Sequence, residues 1–146
     1  MTNQSIIRVM GFDFGTKRLG VAVGQLITKT AQPLKNIQMV SGMPNWSALD
    51  KIVHQWQPDA LVVGIPLNMD GTLQPLSNLA REFCTLLATR YGLPVYETDE
   101  RLTTKDARER LFKNGGYQAL QDGQVDQVAA QLILENWFQT RNDAAS

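Results

Sequence analysis

The chain has 146 residues, 43% apolar and 8% aromatic, enough for one ordinary globular core. Its 14 basic and 14 acidic residues cancel, so whole-chain charge gives no support to nucleic-acid binding and any cationic groove has to be local. One cysteine, Cys84, excludes an internal disulfide and a multi-cysteine zinc site, and no apolar run nears the ~18–20 residues that cross a bilayer.

The N-terminus has no basic stretch followed by a long apolar run. A single soluble, cytoplasmic domain over residues 1–146 is therefore expected, ordered over about 6–138, with no membrane partner. Residues 6–14 alternate and end in Gly-Phe-Asp-Phe-Gly, a strand running into a turn. Leu19 to Gln25 follows as a second strand, joined through Gly15-Thr16-Lys17-Arg18. A third, weaker strand lies near 29–40, where Pro33 marks an edge or an irregularity. Short turns make these three an antiparallel meander. The period then changes: Trp46, Leu49, Ile52, Val53 and Trp56 recur at helical spacing between Pro44 and Pro58. Ala60-Leu61-Val62-Val63-Gly64 is continuously apolar, as in a strand buried on both faces. After the loop Ile65-Pro66-Leu67-Asn68-Met69-Asp70-Gly71-Thr72, a long helix is predicted over 75–91 with Gly92 as its stop, then a last strand over 94–98. Thr103 can cap a helix with Asp106 in the place of the capping-box acid, ending at Asn114-Gly115-Gly116. A final helix is predicted over 124–138, followed by a polar tail that frays. This order gives an α/β fold: a five-stranded mixed sheet, three antiparallel strands and then βαβ-type parallel strands, flanked by helices.

Ligands of open α/β sheets gather at the carboxyl ends of parallel strands. Asp13 ends the first strand in apolar surroundings, where a carboxylate costs free energy unless a cation or donors satisfy it. Glu97, Asp99 and Glu100 stand at the end of the last strand and repel one another without a counter-charge. Asp126 heads a helical stripe of Ala129, Ala130, Ile133 and Trp137, while Gln127, Gln131 and Glu135 define an opposite, solvated face. Asp126 is thus expected to face the sheet, and the two alanines let the helix come close. Asp13, one of the acids at 97–100 and Asp126 can form an oxygen cluster for Mg2+ or Mn2+, with water and substrate phosphate completing the shell. Two such ions ~4 Å apart activate water and stabilise the leaving oxygen in phosphodiester cleavage.

Each acid also has a plainer role. Asp126 can complement a helix dipole, Asp99 and Glu100 can be a solvated strand end, and Asp13 can be a turn former beside Gly15. Lys17 and Arg18 on the hairpin, and Arg101, Lys105 and Arg108 beside the acidic edge, can contact phosphates or form a solvated charged face. The loop at Asn68-Met69-Asp70-Gly71-Thr72 can offer backbone N–H groups to a phosphate, or be a turn with Asp-Gly chemistry. The single histidine, His54, reads as a partly exposed helix residue, Cys84 as a buried structural thiol, and Trp46, Trp56 and Trp137 as packing residues.

Four motifs in chain order carry a resemblance. Asp13-Phe14-Gly15-Thr16-Lys17 with Gly20-Val21-Ala22-Val23-Gly24, Gly64 to Thr72, Asp99-Glu100-Arg101-Leu102-Thr103-Thr104, and Val125-Asp126 with Ala129-Ala130 and Ile133-Leu134 resemble successive motifs of the YqgF/RuvX family. Together they span about residues 7–138. The resemblance implies an RNase H-like fold related to Holliday-junction resolvases, and a nuclease of pre-16S ribosomal RNA acting in 5′-end maturation, hence in ribosome biogenesis. It implies Asp13, Glu100 and Asp126 as the catalytic acids, with Asp99 adjacent among the metal ligands. Relatives in the wider superfamily often place an acid at the end of the fourth strand. This chain reads Gly64-Ile65-Pro66 there, so the second acid comes from the fifth-strand end, Asp99 or Glu100. Asp13, central in the sheet, is expected to bridge the ions, and Glu100 and Asp126 to hold one each. Lys17, Arg18 and Arg101 would orient phosphates, with Lys105 and Asn68 as further phosphate contacts.

Three functions compete. The first is a metal-dependent nuclease, acting on pre-ribosomal RNA or, as a Holliday-junction-type resolvase, on branched DNA. The second is an actin-like phosphotransferase, whose phosphate grip also reads Asp-x-Gly-Thr but which needs two duplicated domains and an adenosine site. The third is a non-catalytic, nucleic-acid-binding ribosome-assembly factor, to which the zero net charge and the placement of the acids point. The carboxylate set and the four motifs together favour the first.

Overall fold

The computed structural model describes residues 6–68, 70–99 and 124–145, the last helix with its side chains over 127–140. In chain order the elements are β1 (Arg8–Phe14), β2 (Arg18–Gln25), β3 (Thr30–Val40), β4 (Met43–Pro44), α1 (Trp46–Trp56), β5 (Ala60–Ile65), α2 (Pro75–Tyr91), β6 (Val95–Asp99) and α3 (Gln124–Ala145). The strands form one sheet in the order β4-β3-β2-β1-β5-β6. β1, β2 and β3 are antiparallel neighbours, and β5 runs parallel to both β1 and β6.

The sheet has six strands where five were expected. The extra one, Met43–Pro44, folds back on Met39 and Val40 through Ser41 and Gly42, whose φ angles are 54° and 79°. Two consecutive positive φ values are the signature of a type I′ hairpin turn. A two-residue strand is too short to show an alternating pattern, and the Ser-Gly pair was its one visible signal. The irregularity expected at Pro33 is present. Val21 pairs with Lys35 and Ala22 with Pro33, so Leu34 is an extra residue in a bulge. β4 covers only the far end of β3, which leaves Pro33 on an open edge, where its missing N–H costs nothing.

Side-chain alternation sorts the sheet into two faces. Met10, Phe12, Phe14, Leu19, Val21, Leu61, Val63 and Ile65 pack against α1 and α2. Val9, Ala22 and Val62 pack on the other face beneath Ala130, Ile133, Leu134, Trp137 and Phe138 of α3. β1 and β5 are central and covered on both sides, which explains the unbroken apolar run at 60–63. α3 lies close because the strands beneath it carry glycine. A methyl at Gly11 would stand 2.5 Å from Leu134 Cγ, and one at Gly24 would stand 2.8 Å from Phe138 Cε2.

Local chemistry sets the helix ends. Asn45 Oδ1 accepts the Ala48 N–H at 3.2 Å to open α1. Pro75 starts α2 with its ring in place of a surplus N–H, and Gly92 (φ 65°) closes it by donating its N–H to Ala88 O. α3 runs on to Ala145, beyond the end expected near 138, because residues 139–145 contain neither Gly nor Pro to stop it. The face expected to be solvated is half-buried: Gln131 Nε2 donates to Ala31 O of β3 at 2.9 Å. The sheet's edge strand reaches up to meet it. The helix expected to begin at Thr103 lies outside the described residues. Among the described residues, no helix is long and apolar enough to cross a membrane.

Candidate functional site

Asp13 is the next-to-last residue of β1 and alternates onto the α3 face with Val9 and Gly11. It is 9% exposed; it and Ser77 are the buried polar residues among those described. Its cross-strand partners are Gly20 on β2 and Gly64 on β5. The carboxylate therefore has a residue without a side chain on either side of it. The same row continues to Asn36 on β3 and Thr98 on β6. Neither these partners nor the glycine flanks can be read locally from the sequence, since register is a property of the assembled sheet. The visible signal was glycine at 11, 20, 24 and 64 inside strand patterns, which marks close approach of another backbone or a ligand.

β1, β5 and β6 run parallel, so Phe14, Ile65 and Asp99 all end at one edge of the sheet. Lys17 and Arg18 lie at that edge, exposed on the turn into β2, and Lys17 O accepts the Met39 N–H at 2.9 Å to tie the turn to β3. β6 divides the expected acids between the faces. Thr98 shares Asp13's row, whereas Glu97 and Asp99 alternate to the α2 face. There Glu97 meets the counter-charge that the acidic run requires, with Arg81 Nε 3.6 Å from its Oε1. On this face burial, reinforced by the Glu97 charge, pushes the Cys84 thiol up to about 12, so it stays protonated and inert. His54 is exposed on α1, as expected.

α3 runs antiparallel to β1. Phe138 lies at the level of Gly24 and Leu134 at the level of Gly11. A helical turn advances about as far as two strand residues, so Ala130 falls near the level of Asp13 and position 126 one turn beyond it, over the strand ends. Position 126 continues the i, i+4 stripe of Ala130, Leu134 and Phe138, all buried. The side chain of Asp126, and Glu100, Arg101, Lys105 and Arg108 entirely, lie outside the described residues. Among the described residues no three of His, Cys, Asp and Glu gather.

The loop after β5 closes on itself. Asn68 N–H donates to Thr72 O, Gly71 N–H to Asn68 O, and Thr72 N–H and Oγ1 both to Asp70 Oδ1. Asn68 Nδ2 adds bonds to Thr72 Oγ1 at 3.0 Å and Leu73 O at 3.3 Å. Ser77 Oγ anchors the loop's start by donating to Pro66 O. The N–H groups of Asn68, Gly71 and Thr72, considered for a phosphate, thus serve the loop's own shape. As a donor set, a buried aspartate carboxylate with no side chain crowding it in its row fits a hard, oxygen-seeking ion such as Mg2+ or Mn2+.

Comparison with known proteins agrees with this architecture. Residues 7–140 match the family described as "RuvX: Holliday junction resolvase". A protein of Aeromonas hydrophila named "Putative pre-16S rRNA nuclease" is 58% identical over 131 residues, covering 90% of this chain and 94% of its own. One of the same name from Shewanella oneidensis is 55% identical over 131 residues, covering 90% and 93%. Thermus thermophilus RuvC, solved with a Holliday junction, superposes with a TM-score of 0.53 at 19% identity over 93% of this chain and 96% of that one. The fowlpox virus resolvase, solved with Holliday junction DNA, gives 0.55 at 12% over 92% and 98%. These structural likenesses establish the RNase H-like fold.

Proposed function

The chain belongs to the RuvX family, and from that premise we propose that it is a metal-dependent nuclease that hydrolyses phosphodiester bonds in 5′-end maturation of pre-16S ribosomal RNA. The observation that carries the reading is Asp13: a buried carboxylate at the carboxyl ends of three parallel strands, with glycine on both sides. The names of the Aeromonas and Shewanella relatives support ribosomal RNA as the substrate.

Asp13, Glu100 and Asp126 would hold Mg2+ or Mn2+. Bound there, the metal supplies an activated water and a counter-charge for the leaving oxygen. Of the two acids that follow Thr98 we assign the ligand role to Glu100. Asp99 alternates to the α2 face, away from Asp13. Lys17 and Arg18, and with them Arg101 and Lys105, would draw phosphates to this edge by charge. Asn68, bound into its own loop, would fix the shape of the wall after β5.

The test is cleavage of a pre-16S RNA fragment and, separately, of a four-way DNA junction by wild type and Asp13→Asn, with Mn2+ and then EDTA. RNA cleavage is expected with metal, abolished by EDTA and reduced at least about a hundredfold in Asp13→Asn. The resolvase folds favour one second reading, so junction cleavage in place of RNA cleavage would make this a DNA resolvase. RNA binding with no cleavage under any metal condition would make it an assembly factor.

A further inference from the structure

Between Asp13 and Asp50 the chain carries no acid but four basic residues, Lys17, Arg18, Lys29 and Lys35. All four are exposed. The zero net charge therefore hides a basic segment, the β2–β3 hairpin with its flanking turns. Lys17 and Arg18 stand at the sheet edge nearest Asp13, and Lys29 in the turn at the opposite end. Lys35, cross-strand from Val21, lies between them on the α1 face. At that opposite end, on the α1 face, the surface has a hollow of about 210 Å3. Trp56 forms its wall, and Val23, Gln25, Thr30 and Gln32 form its floor. Val23 pairs with Gln32 and Gln25 with Thr30, two residues further along, so the four share one face. Gln25, Thr30 and Gln32 are exposed, and Trp56 is half-buried against the core. Arg8, cross-strand from Gln25, donates from Nη1 to Trp56 O at 2.6 Å. Its Nε is buried without a partner, so a permanent positive charge borders the hollow. The volume falls below the ~300–1,000 Å3 of sites for drug-sized ligands, which suits a single ring system. An aromatic wall offers stacking to a planar ring. Glutamine amides both donate and accept, as the Watson–Crick edge of a base requires, and that edge is free only in an unpaired base.

We propose that this hollow is a second binding site, which takes one unpaired base of an RNA strand. The base stacks on Trp56 and bonds to Gln25, Gln32 and Thr30, while Lys29 and Lys35 attract the phosphates beside it. Val23 and Gln25 lie three and five residues along β2 from Gly20, the partner of Asp13. At about 3.4 Å per residue that is roughly 10–17 Å along the strands, and on the opposite face of the sheet. The site thus holds the RNA away from the cut rather than at it. RNA as the ligand rests on the nuclease reading above; the hollow and its chemistry do not.

Binding is measured in Asp13→Asn protein, where cleavage does not intervene, by fluorescence anisotropy of a labelled single-stranded RNA from the 5′ region of pre-16S RNA. The same RNA annealed to its complement serves as the second probe. Trp56→Leu is expected to raise Kd for the single strand about tenfold, the loss of one stacked base. Gln32→Ala should raise it about threefold, the loss of one hydrogen bond, and its exposed side chain leaves the core untouched if Trp56→Leu melts early. Neither should change the slope of log Kd against log salt, whereas Lys35→Ala should flatten it by about 0.7, one phosphate contact. Trp56→Phe keeps a ring and should bind nearly as its parent does. RNA should quench the parent's tryptophan fluorescence, and Trp56→Phe should abolish most of that quenching while binding persists, which a merely structural tryptophan would not do. The duplex should bind with no dependence on Trp56. Unchanged single-strand Kd in both Trp56→Leu and Gln32→Ala would overturn the pocket and leave the nuclease standing. Equal dependence of duplex and single strand on Trp56 would overturn the unpaired base. Trp56-dependent binding by a wild type that cleaves nothing would keep the pocket and remove the nuclease, and a parent that binds no RNA would overturn both.

Discussion

Gly11 has no side chain because Leu134 occupies its place. A Cβ there would lie 2.5 Å from Leu134 Cγ, and Leu134 is fully buried and has nowhere to withdraw. Gly11→Ala should therefore cost about 1–3 kcal/mol by overpacking, and Leu134→Ala about 2–5 kcal/mol by leaving a void. The double variant should cost clearly less than the sum, because removing the leucine removes the collision; urea unfolding of all four proteins checks this. Single residues varied in how readable they were. Asp13 stood out in sequence because a carboxylate among apolar neighbours is costly wherever it folds. The same physics made Cys84 and His54 legible. Asn36 and Thr98 gave no such sign, and Gly20 and Gly64 gave only that of glycine inside a strand pattern. What they contribute is alignment with Asp13, and alignment is decided by strands up to 85 residues apart in the chain.

Elements join through a clasp that is not visible in any one of them. Arg90 on α2 donates from Nε and Nη2 to the two oxygens of Asp50 on α1 at 2.8 and 2.7 Å, and Tyr91 OH adds a bond at 2.6 Å. The same guanidinium lies 4.7 Å from the centroid of Trp46. Hydrogen bonds from Arg90 and then Tyr91 hold the Asp50 carboxyl down at about 2, against 3.8 ordinarily. A carboxyl depressed in the folded state stabilises above its unfolded value and loses that contribution as pH falls through the folded value. The melting-temperature gap between wild type and Asp50→Asn should thus be full above pH 4, shrink below it and close near pH 2. It should be small, since the pair is 42–43% exposed and water screens it. Element boundaries were most legible where capping chemistry is local, as at Pro75 and Gly92 of α2. They were least legible at β4, where two residues give no period, and at the end of α3, where nothing in the tail says stop.

At the scale of the whole molecule, the candidate site draws on the first strand and the last helix, so metal binding and global stability should be linked. Mg2+ should raise the melting temperature of wild type and leave that of Asp13→Asn unmoved, since a ligand that binds only the folded state stabilises it in proportion to its affinity. Differential scanning fluorimetry over a magnesium series reads this directly. The architecture was largely legible, because the change from alternating to helical period and back reports which strands are antiparallel and which need a crossover. The buried stripe Ala130-Ile133-Trp137 of the last helix was legible, although the opposite face proved half-buried against β3. The order of manufacture has a consequence of its own. All six strands leave the ribosome before α3 does, and at ~5–20 residues per second the nascent sheet waits on the order of seconds with Val9, Ala22 and Val62 uncovered. During that interval the chain exposes an apolar face and is without the helix that carries Asp126. As the nuclease proposed above, a half-made copy cannot cut RNA while still attached to the particle that is translating it.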